Sequence, residues 1–333
     1  MALTPTSVRT LQHYLEEAIF VGQAHKLGVF RQLGNKPDTA SALARRMQFD
    51  TRATWILLEA LVEMGYLQKD NDIYSPTQYC IDHLVNEESD DYDGDFLKFL
   101  LYLMHPWQTL PYVLKTGTPD ESSFKELSMQ DFIKGMDSPW KKRITPEVVS
   151  LCLAYCTASS CIDIGGAPGT IAKEFVKRGV KTIIFDLPQS LEITQDALKD
   201  IPDIEIIAGD ATVALPHCKV DITFLGNLCH GQSPQDNQKI ISMCYDIVNP
   251  DGIIAIFDNL RDESYLGATL ALHMLTQSKH GNIYARDEYF AWLHNAGFKD
   301  PQVLQLSDKA WQMIIAKNNV IYMVAKAKAL ILS

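Results

Sequence analysis

The chain has 333 residues, enough for about two domains at roughly 100–200 residues each. Its 47% hydrophobic and 21% charged content excludes wholesale disorder and collagen-like repetition. Forty-one acidic against thirty basic side chains give a net charge of −11, a balance that repels phosphate backbones and argues against a nucleic-acid partner.

No stretch reaches the roughly 18 uncharged apolar residues of a membrane span. The nearest, Phe96 to Leu114, is interrupted by Lys98, His105 and Pro106 and reads as two buried helices, so no membrane partner is expected. The first residues, MALTPTSVRTLQHY, lack the charged-then-apolar order of an export signal, so no export is expected. Seven cysteines stand at 80, 152, 156, 161, 218, 229 and 244 without a CxxC pair. Such scatter in a chain of this size suits reduced thiols in a cytoplasmic setting. Cys152 and Cys156 share a helix face, but no further ligands stand at zinc spacing, so no metal is expected.

In chain order, the first ninety residues read as short helices. Val21 to Leu33 puts Ala24, Leu27, Val29, Phe30 and Leu33 on one stripe. Thr39 precedes a helix over Ala40 to Met47, and Asp50 or Thr51 caps another over Arg52 to Met64, which Gly65 ends. Tyr66–Lys69 and Ile73–Pro76 are strand-like around the turn Asp70-Asn71-Asp72. Three helices and a small hairpin make a winged-helix pattern. Residues 1–90 hold eight Lys and Arg against twelve Asp and Glu, a net of −4. That charge favours a packing and dimerisation module over a DNA-binding regulator.

Residues 91–150 read as a helical connector, with apolar Phe96–Leu101 and Trp107–Leu114, a stop at Lys115–Pro119, and helices over Met129–Met136 and Pro146–Ala154. From Ser159 the pattern changes to strands alternating with helices. Strands are predicted at Cys161–Ile164, Thr182–Phe185, Ile204–Ala208, Ile222–Leu225, Ile253–Phe257, Gln302–Leu306 and Trp311–Ala316. Helices are predicted at Thr170–Lys177, Ser190–Leu198, Pro234–Val248 and Asp287–Asn295. The fold class is therefore α/β, a Rossmann-like doubly wound sheet of seven strands behind a mainly helical N-terminal domain. After Lys317 the run NNVIYMVAKAKALILS is open between an added strand over Ile321–Ala325 and a frayed end.

The first strand of the sheet runs into Asp163-Ile164-Gly165-Gly166-Ala167-Pro168-Gly169 and then a helix. Glycines at such a turn let a ligand approach the backbone. The second strand ends in Asp186, a carboxylate able to accept both hydroxyls of an adenosine ribose, and the third is followed by Gly209-Asp210-Ala211. Three strand ends on one sheet edge are where ligands bind in these folds. NAD is a rival ligand for Asp186, but the loop is not GxGxxG, since Ala167 and Pro168 follow the paired glycines.

The ordered set DIGGAPG, IIFDLP, IIAGDA and Gly226-Asn227-Leu228-Cys229-His230 resembles the motifs of class I S-adenosylmethionine-dependent methyltransferases. More narrowly, the chain from about residue 15 to about residue 317 is similar to the plant and bacterial small-molecule O-methyltransferases that carry an N-terminal winged-helix dimerisation domain. The resemblance implies three regions, namely a dimerisation domain over 1–90, a connector contributing to the acceptor pocket over 91–150, and a cofactor-binding catalytic domain over 151–333. It implies that Gly165, Gly166 and Gly169 line the methionine part of S-adenosyl-L-methionine, with Asn227 also in the cofactor site. By the same resemblance, Asp186 holds the ribose, Leu187 packs on the adenine, Asp210 takes its amino group and Ala211 faces its ring.

His230, in Cys229-His230-Gly231-Gln232-Ser233, matches the family's catalytic base, and Asp258 at the end of the fifth strand matches its orienting carboxylate. A second family carboxylate has no counterpart, Ile283 standing nearest by count. Phe132, Met136 and Trp140 before the sheet, with His273 and Met274 after the fifth strand, are pocket candidates that favour a flat, lipophilic acceptor. The expected activity is O-methylation of an aromatic or polyketide-like small molecule by a homodimer. A protein that uses the cofactor's charge for a non-methylating reaction is the alternative.

Overall fold

The computed structural model describes residues 5–125, 128–199 and 201–318, so the run from residue 319, including Ile321–Ala325, lies outside the described residues. Two compact units result. One comprises the described residues up to 105 together with 128–139, and the other comprises 106–125 together with 140–318.

In the N-terminal unit, Ser7, Thr39 and Asp50 cap the helices Val8–Lys26, Ala40–Met47 and Thr51–Glu63 through side-chain oxygens that accept from the backbone. The expected single helix over Val21–Leu33 is corrected to two, Val8–Lys26 and Val29–Asn35. The break is Gly28, whose φ of 82° lies in the left-handed region that ends helices. The apolar stripe continues across this break because Val21, Ala24, Val29, Phe30 and Leu33 are all buried in the same core, whereas Leu27, expected on the stripe, is exposed beside the break. Strands β1 (Leu67–Asp70) and β2 (Ile73–Pro76) pair antiparallel around Asn71 and Asp72, both at positive φ, as a tight two-residue hairpin requires. Asp38 bridges to Tyr74 and gives the hairpin a third, minimal strand.

The segment around Phe96–Leu114 forms two helices, Gly94–Gln108 and Leu110–Thr116. They are not fully buried as expected, since Phe96, Trp107, Tyr112 and Leu114 are exposed. A helix over Met129–Met136 begins at the Ser128 cap.

Ahead of the sheet in the second unit runs the helix Pro139–Tyr155, which starts seven residues before the sequence-based boundary at Pro146. Its sheet contains β3 (Ser160–Ile164), β4 (Lys181–Asp186), β5 (Ile204–Ala208), β6 (Val220–Gly226), β7 (Val248–Asp258), β8 (Lys299–Gln305) and β9 (Gln312–Lys317). The order is β5-β4-β3-β6-β7-β9-β8. All pairings are parallel except those of β9, which runs antiparallel to β7 and β8. Strands buried on both faces read as continuous apolar runs, and β7 shows it with Ile253, Ile254, Ala255, Ile256 and Phe257 all buried. One face carries the helices Pro234–Ile247 and Arg286–Ala296. The other carries Pro139–Tyr155 and Thr170–Lys177. Strand order reverses between β3 and β6, the switch point where ligands bind in doubly wound sheets. A helix that sequence reading did not assign, Gly267–Gln277, follows β7.

Candidate active site

The glycine loop after β3 is shaped by its neighbours. Gly165 takes φ 73°, its N–H donates to Phe185 O at 2.8 Å, and Gly169 at φ 91° caps the helix Thr170–Lys177. A Cβ on Gly166 would lie 2.7 Å from the Asp163 carboxyl carbon, so only glycine fits there. Asp163 is buried, with Oδ2 lacking a hydrogen-bond partner, and burial pushes its carboxyl up to about 7.

At the tip of β4, Asp186 Oδ2 accepts from Ala167 N–H at 3.0 Å and Oδ1 from Leu187 N–H at 2.7 Å. The carboxylate is thus fixed by the loop while each oxygen keeps a lone pair for a ligand. Leu187 beside it is exposed. Gly209 N–H donates to Asp186 O at 2.9 Å, which brings Gly209-Asp210 alongside. Asp210 Oδ1 accepts from Thr212 N–H at 2.8 Å, and Ala211 packs partly buried on the core. After β6, Asn227 sits at φ 55° with its N–H on Phe257 O, and its buried Oδ1 has no hydrogen-bond partner. A fixed carboxylate, an open glycine turn and an unsatisfied amide oxygen on one crest fit a ribose, a polar amino-acid tail and a flat ring.

Next to this crest, His230 occupies the short turn Cys229–Gly231 that follows β6. Its Nδ1 lies 2.8 Å from Asp258 Oδ1. A carboxylate only accepts, so Nδ1 carries the hydrogen and Nε2 keeps its lone pair. Asp258, the last residue of β7, is 1% exposed. Its carboxylate also accepts from Asn259 N–H at 2.8 Å, Tyr289 O–H at 3.2 Å and His230 N–H at 3.3 Å. Burial of His230 works against its charged form, but Asp258's charge and hydrogen bond together outweigh it and raise the imidazole pKa above 6.5.

Tyr289 was not identified by sequence reading, and no local pattern marks it, because its role depends on a hydrogen bond spanning 31 positions. Ile283, nearest by count to the family's second carboxylate, is fully buried. Beside it the buried Tyr284 donates to Gln232 O at 2.6 Å and secures the turn after His230.

The pocket candidates separate. His273 stands on the Gly267–Gln277 helix and accepts at Nδ1 from Trp107 Nε1–H at 2.8 Å. Burial and the nearby His230 push its pKa down to about 4. Met274 follows it, partly buried. Trp140 instead stacks on Phe257 and Trp311 and donates to Asp308, on the sheet face opposite the Tyr289 cluster. In the N-terminal unit, Phe132 packs edge-on against Phe99 at 5.7 Å, and Met136 ends the same helix.

Among the described residues no helix is long and apolar enough to cross a membrane, and no group of three or more His, Cys, Asp or Glu is arranged to hold a metal ion.

The O-methyltransferase domain family matches residues 116–299, more than half of the chain. The tetracenomycin polyketide synthesis 8-O-methyl transferase TcmO of Streptomyces glaucescens is 24% identical over 315 residues, covering 90% of this chain and 92% of the relative. The 3-hydroxy-5-methyl-1-naphthoate 3-O-methyltransferase of Streptomyces sahachiroi is 21% identical over 329 residues, covering 94% of each chain. Human N-acetylserotonin methyltransferase, solved in complex with S-adenosylmethionine, superposes with a TM-score of 0.79 at 21% identity, covering 96% of this chain and 100% of that one. With the motif order, the sheet topology and the His230–Asp258 pair, these matches establish that the chain belongs to the O-methyltransferase family and is an S-adenosylmethionine-dependent enzyme.

Proposed function

We propose that the enzyme methylates a hydroxyl on an aromatic or polyketide-like small molecule, with His230 as the general base. The observation that carries this reading is the 2.8 Å bond from His230 Nδ1 to Asp258, which directs the free Nε2 lone pair away from the carboxylate. Gly165, Gly166, Gly169 and Asn227 hold the methionine part of the cofactor, Asp186 its ribose hydroxyls, and Leu187, Asp210 and Ala211 its adenine. Bound S-adenosylmethionine supplies a sulfonium-activated methyl group. His230 removes the acceptor's hydroxyl proton as the oxygen becomes nucleophilic, and Asp258 stabilises the imidazolium that results. Tyr289 donates to the second carboxylate oxygen and so helps to hold Asp258 in place. The half-exposed His273 and Met274 flank the acceptor. The tetracenomycin and naphthoate relatives support a polycyclic phenolic acceptor.

Residues 1–90 serve as a dimerisation domain, and 91–150 connect it to the catalytic domain and supply acceptor contacts. A homodimer is supported by the exposed stripe Val8, Leu11, Leu15 and Ile19 on the first helix. Seven unpaired thiols suit a cytoplasmic location.

The test is turnover of methyl-labelled cofactor with a panel of hydroxyarenes, scoring S-adenosylhomocysteine and methyl ether together. His230→Ala should lower kcat by about 10²–10⁴-fold while leaving cofactor affinity nearly intact, with partial rescue at high pH for acidic phenols. Near-full activity of that variant at neutral pH would remove His230 from the mechanism. Turnover without S-adenosylhomocysteine would favour a charge-only use of the cofactor.

A further inference from the structure

The indole N–H of Trp107 can only donate, so at 2.8 Å the Nδ1 of His273 must accept. A neutral imidazole that accepts at Nδ1 carries its hydrogen on Nε2. A charged imidazole would oppose the indole with a second donor, and burial beside His230 keeps the ring neutral at working pH. His273 is therefore a donor with a fixed tautomer. It has no free lone pair with which to take a proton.

Its position is set by backbone stitching. Just beyond the Gly267–Gln277 helix, Ser278 Oγ donates to Gly231 O at 3.3 Å, and Asn282 N–H donates to His230 O at 2.9 Å. The end of the helix that carries His273 is thus tied to the turn that carries His230. A base and a fixed donor stand beside one another.

We infer that the Trp107–His273 pair selects acceptors bearing a carbonyl or similar oxygen next to the hydroxyl that is methylated. The inference rests on His230 acting at that hydroxyl. An aryl hydroxyl beside a carbonyl shares its proton internally, which makes the proton harder to remove. The Nε2–H of His273 takes over the carbonyl oxygen, breaks the internal bond and turns the hydroxyl proton toward His230. A plain phenol has nothing for this donor to bind and leaves a half-buried N–H unsatisfied. Trp107 is a positioning residue, acting only through the imidazole.

Two measurements test this. Nitrogen-15 NMR of histidine-labelled, ligand-free protein should show His273 protonated at Nε2 alone, and Trp107→Phe, which keeps the bulk, should give a mixture of tautomers. Competition assays should pair a hydroxyanthraquinone whose hydroxyl is peri to a carbonyl with the hydroxyanthracene that lacks the carbonyls. In His273→Leu, kcat/KM for the quinone should fall about three- to tenfold further than kcat/KM for the hydroxyanthracene, the loss expected for one neutral hydrogen bond. Protonation at Nδ1 in the unmodified protein would overturn the inference. Transfer to both arenes with the same ratio in His273→Leu would overturn it alone. Absence of transfer to any hydroxyarene would overturn it together with the function on which it rests.

Discussion

His230 and Asp258 work as one electrostatic unit, and their balance predicts a pH profile. Burial lowers the imidazole pKa while Asp258's charge and hydrogen bond raise it, and the net is upward from 6.5. With His230 as the proposed base, active only when neutral, kcat/KM should climb with pH through a value above 6.5 and then level off. Asp258→Asn deletes the raising influence and leaves burial. The acid limb should therefore move to lower pH even as the plateau falls about 10-fold or more, since the amide no longer enforces the Nδ1–H tautomer. The stability contribution of the pair has the opposite pH sense. It is fully present below the unfolded value of 6.5 and is lost as pH rises through the raised folded value. An acid limb that stays in place in Asp258→Asn would mean that another group controls it.

Elements were legible where local chemistry announced them. Thr170–Lys177 and Ile204–Ala208 agree with the sequence-based bounds to the residue, because a glycine turn opens one and an apolar run between turn residues defines the other. Gly267–Gln277 was missed because its cap residue, Leu266, has no side-chain acceptor and its run of Ala, Leu, His and Met shows little polar contrast. The Gly28 break was hidden because the apolar spacing continues across it. At the site, His230 and Asp258 stand out through the resemblance of their strand-end motifs to the family's, whereas Tyr289 and Trp107 are brought to their partners by folding alone, Trp107 meeting His273 across 166 positions. The loop between β3 and its helix is also an element held from outside, by Asp186. Asp186→Ala should therefore weaken cofactor binding by about 10- to 150-fold, the loss of charge-assisted bonds worth about 1.5–3 kcal/mol. Calorimetry on a variant with unchanged circular dichroism would check this, and unchanged affinity would remove Asp186 from the cofactor site.

At the scale of the whole molecule, the first helix presents a surface that the chain alone leaves open. Val8, Leu11, Leu15 and Ile19 recur at helical spacing and are 82%, 47%, 55% and 38% exposed, with Tyr14 and Phe20 beside them. Buried positions on the same helix are Val21, Gly22, Ala24 and His25 near its C-terminal end, so the N-terminal half contributes little to its own core. Contiguous apolar surface of this kind is costly in water and marks an interface. A second copy is the simplest occupant, because a two-fold contact lets one stripe meet itself. Light scattering should then give about twice 37.4 kDa at micromolar concentration. The double variant Leu11→Glu/Leu15→Glu should run near 37.4 kDa with a melting temperature little changed, since both side chains are exposed in the single chain. If the unaltered protein is monomeric across that range, the stripe has another partner. If the double variant stays dimeric, the interface lies elsewhere on the molecule and the first helix is a bystander to assembly.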